Sequence, residues 1–276
     1  MNPRSLVMFC IVLLIPFTGA AGDSPWDARL PFKEAVITYK LSGMESGQEK
    51  LYIRDYGKKT ARYRTTSTTV LGITQTTDSA EIVTPDWVYS FDLKEGTGTR
   101  SVNPQKLMIE EYRALTADEK ARVDANAVRL AGALAGGLQG TVQPDARTIL
   151  GYSCDRVTAL GTSAYTIHNS GIALLTESTI MGVTITSTAV AITTQGADES
   201  YFEFPRGIDP QPSPEKDETA AMIANQTIAL LKDPQSKQAG RQGLIGMPSA
   251  GQEAIQEEDR QEMQKAMETI KGLFGN

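Results

Sequence analysis

The sequence predicts an α+β fold, a curved antiparallel β-sheet with a helical insert and a helical C-terminal tail. Three observations predict it. Up to about residue 102, apolar and polar residues alternate with period two, the mark of strands with one buried face. At about 104–138 the period lengthens to that of a helix, and then it returns to two. Past a proline-rich stretch at 208–217 the composition changes to charged segments of helical spacing.

The elements follow in order. Ala35, Ile37, Tyr39 and Leu41 alternate with Val36, Thr38 and Lys40, giving a strand. Gly43 to Gly47 makes a turn, and Lys50 to Tyr56 returns as its hairpin partner. Thr60 to Thr66, Thr68 to Thr76 and Glu81 to Thr84 read as Thr-rich strands. Trp87, Tyr89, Phe91 and Leu93 alternate with Val88, Ser90 and Asp92, the clearest half-buried strand. Gly96 to Val102 closes the meander.

Asn103-Pro104 then signals a helix start, because proline suits the first helical position. Thr116-Ala117-Asp118-Glu119 matches a capping box and opens a second helix to about Ala135. Its stripe is Ala127, Leu130, Ala131, Leu134 and Leu138, and its end is soft with glycines. Strands resume at Leu150 to Leu160, Ala164 to Asn169, Ile172 to Ile180 and Val183 to Thr194. In the last of these the apolar phase slips between Ile185 and Val190, which predicts a bulge or a burial switch near Thr188. Tyr201 to Phe204 reads as a final short strand. Residues 208–217 read as a linker, and 218–276 as a helical tail. Within that tail Glu218 to Lys232 forms one helix, and a second runs from Pro248 to about Phe274.

The first residues read as a secretory signal peptide over 1–21. Arg4 precedes an apolar run from Leu6 to Phe17, and small residues follow at Thr18 to Gly22. A run of about a dozen residues is too short for a hydrocarbon core of ~30 Å. The expected product is therefore exported, most simply to the periplasm, with no transmembrane segment after cleavage. Cleavage removes one basic residue and no acid from a chain of net charge −6. An acidic protein lacks the basic face that nucleic acid requires, so nucleic acid is not an expected partner. Of two cysteines, Cys10 leaves with the signal and Cys154 stands alone, so no intramolecular disulfide supports the fold. One histidine and one mature cysteine exclude a zinc site built from His and Cys within one chain.

Three segments carry a family resemblance: Leu51-Tyr52-Ile53-Arg54-Asp55-Tyr56-Gly57, Leu150-Gly151-Tyr152-Ser153-Cys154-Asp155 and Phe202-Glu203-Phe204-Pro205-Arg206-Gly207. With the order of elements over about Phe32 to Gly207, they resemble the LolA/LolB lipoprotein-carrier superfamily, and most closely its uncharacterised exported relatives. The resemblance implies an unclosed half-barrel whose concave side is covered by helices and encloses an apolar cavity for acyl chains. It carries over no binding residue by position, and the tail has no counterpart in it.

No catalytic constellation is legible. His168 has no accompanying nucleophile motif, Ser213-Pro214-Glu215-Lys216 lies in the predicted linker, and Gly96-Thr97-Gly98 lacks the rest of a phosphate loop. No cofactor and no metal is expected. Two noncatalytic readings follow for an envelope protein. In the first it binds an acyl chain, lipid or lipidated protein in a cavity lined by Ile37, Tyr39, Trp87, Tyr89, Phe91, Leu130 and Leu134. In the second it docks an envelope protein partner through the stripe Met263, Met267, Ile270, Leu273 and Phe274.

Overall fold

The computed structural model describes residues 25–26, 30–70, 73–137, 141–159, 161–168, 170–180 and 183–233. The predicted signal peptide and the predicted partner helix with Met263, Met267, Ile270, Leu273 and Phe274 lie outside the described residues. The chain forms β1 (Ala35–Gly43), β2 (Glu45–Arg54), β3 (Lys59–Val70), β4 (Ile73–Val83), β5 (Trp87–Asp92) and β6 (Thr97–Val102). Helices α1 (Pro104–Ala114) and α2 (Ala117–Gly137) follow. The second set of strands is β7 (Thr141–Ile149), β8 (Tyr152–Ala159), β9 (Thr162–Ile167), β10 (Ala173–Ile180) and β11 (Val183–Thr193). The two-residue β12 (Gln211–Pro212) and α3 (Pro214–Lys232) end the described chain.

All twelve strands form one open sheet in the order β12-β6-β5-β4-β3-β2-β1-β11-β10-β9-β8-β7. The pairs are antiparallel except β12 with β6. The α+β class and the curved, unclosed antiparallel sheet expected from the sequence are thus present. The two meanders meet at β1 and β11, so the first strand is central. Opposite Thr38 and Tyr39 the register skips Val190, which is half exposed. This is the bulge that the phase slip predicts.

Four boundaries differ from the sequence reading, each for a physical reason. Thr68 to Thr76 is not one strand: β3 ends at Val70, β4 starts at Ile73, and the two pair antiparallel. The run Thr69-Val70-Leu71-Gly72-Ile73-Thr74 keeps strand composition throughout, so periodicity cannot find the reversal. The same pattern recurs at Thr179-Ile180-Met181-Gly182-Val183-Thr184, and both hairpins pair their flanking threonine hydroxyls, at 2.9 Å and 3.1 Å. β7 lies where no strand is predicted, since edge pairing rather than burial holds its mostly exposed residues. Tyr201 to Phe204 is not a strand, because Glu199–Phe202 is a 3₁₀ turn capped by Asp198, which accepts from the Ser200 amide at 2.8 Å. The predicted linker is not free. Gln211–Pro212 pairs with β6, and Pro214–Asp217 is the first turn of α3.

The helices begin where the sequence signals them. The Asn103 side chain caps α1 by accepting from the Gln105 amide at 2.9 Å, and its Nδ2 donates to the Thr84 carbonyl at 2.8 Å. The capping box closes with the Thr116 amide donating to Glu119 at 3.0 Å and the Glu119 amide to Thr116 at 3.3 Å. α3 does not hang from the domain as a separate tail. It buries Ala220, Ala224, Ile228 and Leu231, and Asn126 of α2 donates to the Leu231 carbonyl at 2.8 Å. Lys232 pairs with Glu119 at 2.7 Å, and this contact, followed by the Thr116 bonds, holds the Glu119 carboxyl down to about 2. Among the described residues no helix is long and apolar enough to cross a membrane.

Two apolar cores lie on opposite faces of the sheet. The first joins Ala35, Ile37, Tyr39, Leu51 and Ile53 to Cys154, Ile167, Leu174 and Ala189. The second gathers Tyr52, Ala61, Ala80, Ile82 and Phe91 under Phe202 and Ile208. Tyr201 stacks on Tyr52 with ring centres 3.9 Å apart, and Phe204 lies 4.7 Å from Tyr89. Gly98 is required beneath this cover, because a Cβ there would sit 2.7 Å from the Phe91 ring.

Candidate functional site

Strand register places one row of side chains across the first meander: Ile37, Leu51, Arg62, Glu81, Ser90 and Thr99. The next row on the same face is Tyr39, Glu49, Arg64, Ser79, Asp92 and Thr97. Both rows are apolar or aromatic at β1 and polar from β3 onward. The alternation that buries Ile37 on β1 therefore delivers charged side chains to that face on β3 and β4. There the opposite face carries the second core, so this face is left free to line a cavity.

That cavity has a volume of about 510 Å³ and lies over β3 to β6, with Lys216 of α3 at its side. Arg62, Arg64, Glu81, Ser90, Asp92 and Thr99 are among its walls. The long stems of Arg62, Arg64 and Lys216 add carbon surface between the polar ends. Lys216 donates to the Thr99 hydroxyl at 2.8 Å, which anchors the first turn of α3 over the cavity.

The charges fall into two groups. Glu49 is 5 % exposed and sits between Arg62 at 3.4 Å and Arg64 at 3.8 Å. Arg64 also pairs with Glu45. These four residues satisfy one another, as buried charges must. Glu81 and Lys216 form the second group. Among the described residues neither has an opposite charge within ion-pair distance, although both line the cavity. Burial pushes the Glu81 carboxyl above its ordinary range; Arg62 opposes that rise, Glu49 adds to it and Lys216 opposes it. A carboxyl in this setting keeps its proton more readily and can both donate and accept a hydrogen bond.

The structure separates the residues predicted to line a ligand cavity. Ile37 and Tyr39 belong to the first core, where both are buried, and the Tyr39 hydroxyl donates to the Ala173 carbonyl at 3.0 Å. Trp87, Tyr89 and Phe91 lie on the opposite face, where Arg100 lies 4.5 Å over the Trp87 ring and Phe204 covers the other two, and of these three Phe91 also borders the cavity. Leu130 and Leu134 fall in α2, and their side chains lie outside the described residues. Alternation within each strand is as read. The phase between β1 and β5 is not visible to alternation, and it puts the two aromatic sets on different sides. The sequence reading missed Arg62, Arg64, Glu49 and Glu81. The signal that could have found them is charge at every second position of strands that should be half buried, with opposite signs on neighbouring strands.

No family model matches the chain, and no curated protein matches it. Among solved structures, an uncharacterised conserved protein from Thermus thermophilus is similar at 9% identity and TM-score 0.38, over 66% of this chain and 91% of that one. PNGF-II is similar at 12% identity and TM-score 0.36, over 72% of this chain and 33% of that one. This chain thus spans about a third of the length of PNGF-II. Likenesses this slight define neither fold nor site.

Proposed function

We propose that this protein is a noncatalytic binding module of the exported cell envelope, built on a LolA/LolB-like sheet, and that its ligand is small and polar. The observation that carries the reading is that Glu81 and Lys216 line one cavity while, among the described residues, neither has an opposite charge within ion-pair distance. A carboxyl, an ammonium and the hydroxyls of Ser79, Ser90, Thr97 and Thr99 suit a ligand rich in hydroxyl or carbonyl groups. An acyl chain would match the carbon stems of the wall but leave its unpaired polar ends without partners, at about 1–3 kcal/mol each, so the ligand expected here carries polar groups of its own. The lining carboxylates are Glu81 and Asp92, and Asp92 is already engaged by the Lys94 and Glu95 amides.

Native mass spectrometry of protein purified gently from its own host tests this. The expected result is a stoichiometric extra mass that stays in water on extraction and is lost from Glu81→Leu. An extra mass that partitions into organic solvent, or a clean apo mass, overturns the polar-ligand reading.

A further inference from the structure

On the other half of the sheet, three side chains from three adjacent strands converge. His168 is the only histidine of the chain and follows the end of β9. Its Nδ1 lies 2.8 Å from Asp155 Oδ1 and 3.1 Å from Asp155 Oδ2. Asp145 joins them from β7, where the register shifts between Gln143 and Arg147 and the Asp145 backbone takes a φ of 48°. One imidazole nitrogen and two carboxylates lie with their donor atoms within 4.8 Å of one another.

The surroundings fix each donor. The His168 amide donates to the Ser153 carbonyl at 2.9 Å, which extends the β8–β9 ladder to the imidazole. The Ser153 hydroxyl donates to Asp145 Oδ1 at 2.5 Å, and the Asp145 amide donates to Asp155 Oδ1 at 2.9 Å. Cys154, between Ser153 and Asp155, is fully buried in the first core, so its thiol is not a fourth donor. Two carboxylates meeting one imidazole leave the cluster short of positive charge even when the histidine is protonated. His168 Nδ1 and Asp155 Oδ1 already meet at 2.8 Å, and Asp145 brings a second carboxylate beside them. Nitrogen with two oxygens is a donor set that zinc, manganese and their neighbours accept, with water completing the shell.

We propose that Asp145, Asp155 and His168 form a divalent-cation site that pins the bulged edge strand β7 to β8 and β9. The His168 imidazole and the two carboxylates supply the ligands, the Ser153 hydroxyl orients Asp145, and zinc is the probe of choice. The site is independent of the polar cavity, because none of its residues lines that cavity.

The test is a zinc titration of tag-free mature protein, followed by calorimetry and by proton NMR of its single imidazole. The expected result is one saturable equivalent per chain, with the imidazole resonances shifted in step with binding. His168→Gln and Asp145→Asn each weaken binding about tenfold or more, and Ser153→Ala weakens it less. Circular dichroism confirms that each variant is folded; if His168→Gln does not fold, Asp145→Asn carries the test. Absence of a saturable equivalent, unmoved imidazole resonances, or binding undiminished in the folded variants overturns the proposal.

Discussion

The β1–β2 half and the β3–β5 half of one sheet face obey the same alternation and reach opposite ends. Ile37 and Leu51 start a row that continues, by direct pairing, through Arg62 and Glu81 to Ser90. In the first half this face is the core, and Ile37 and Ile53 have no exposed surface. In the second half the core has moved to the other face, under Tyr201, Phe202 and Phe204, and the row lines a cavity. The difference shows how a single sheet can keep both stability and a wet site. The apolar side of each strand need only find cover, and the cover changes sides between β2 and β4.

The largest way to break this comparison is Ile53→Ala. If its half is close-packed, unfolding in urea should show a loss of about 2–5 kcal/mol; a loss under about 1 kcal/mol would mean that the first core tolerates voids. Where the two halves meet, Glu49→Ala on β2 leaves Arg62 and Arg64 of β3 without their shared buried partner. Because Arg62 is 38% exposed, solvent screens much of the charge, and the expected loss is about 1–2 kcal/mol by the same measurement. Ser90→Phe sharpens the contrast further, since it fills space instead of opening it. It should change stability by less than about 1.5 kcal/mol while abolishing the retained polar mass, whereas a bulky residue forced into the first core costs about 1–3 kcal/mol.

The smallest effect separates the two halves by pH. The Glu81 carboxyl is raised in the fold, first by burial, so folding favours its protonated form. Its contribution is full below the unfolded value and is lost as pH rises through the folded value. Glu81→Gln should therefore melt at or above the parent temperature at pH 7, with the difference vanishing in acid. A variant that melts lower at pH 7 would mean that the ionised carboxylate is held by a partner. The same scan on Ile53→Ala should give a loss that does not change with pH.

Much of the architecture was legible in local chemistry. The capping box at Thr116 and Glu119, the Asn103-Pro104 helix start and the phase slip opposite β1 all appear where the residues put them, because each rests on contacts within a few positions in the chain. The boundary at residues 70–73 was not legible, because strand-like residues run through the reversal. Nor was the fate of the aromatics. Trp87, Tyr89 and Phe91 read as partners of Ile37 and Tyr39 until the register is known.

The sequence by itself determined which residues of each strand share a face and where helices start. Those are consequences of period and backbone capping. Only the tertiary structure decided which face is covered in each half, that the 197–208 segment lies over the second core, and that α3 docks on α1 and α2. It also decided that Asp145, Asp155 and His168 meet. The physical reason is that alternation is a local property, whereas burial depends on pairing register and on segments far apart in the chain, as in the bond from Arg54 to the Ala197 carbonyl.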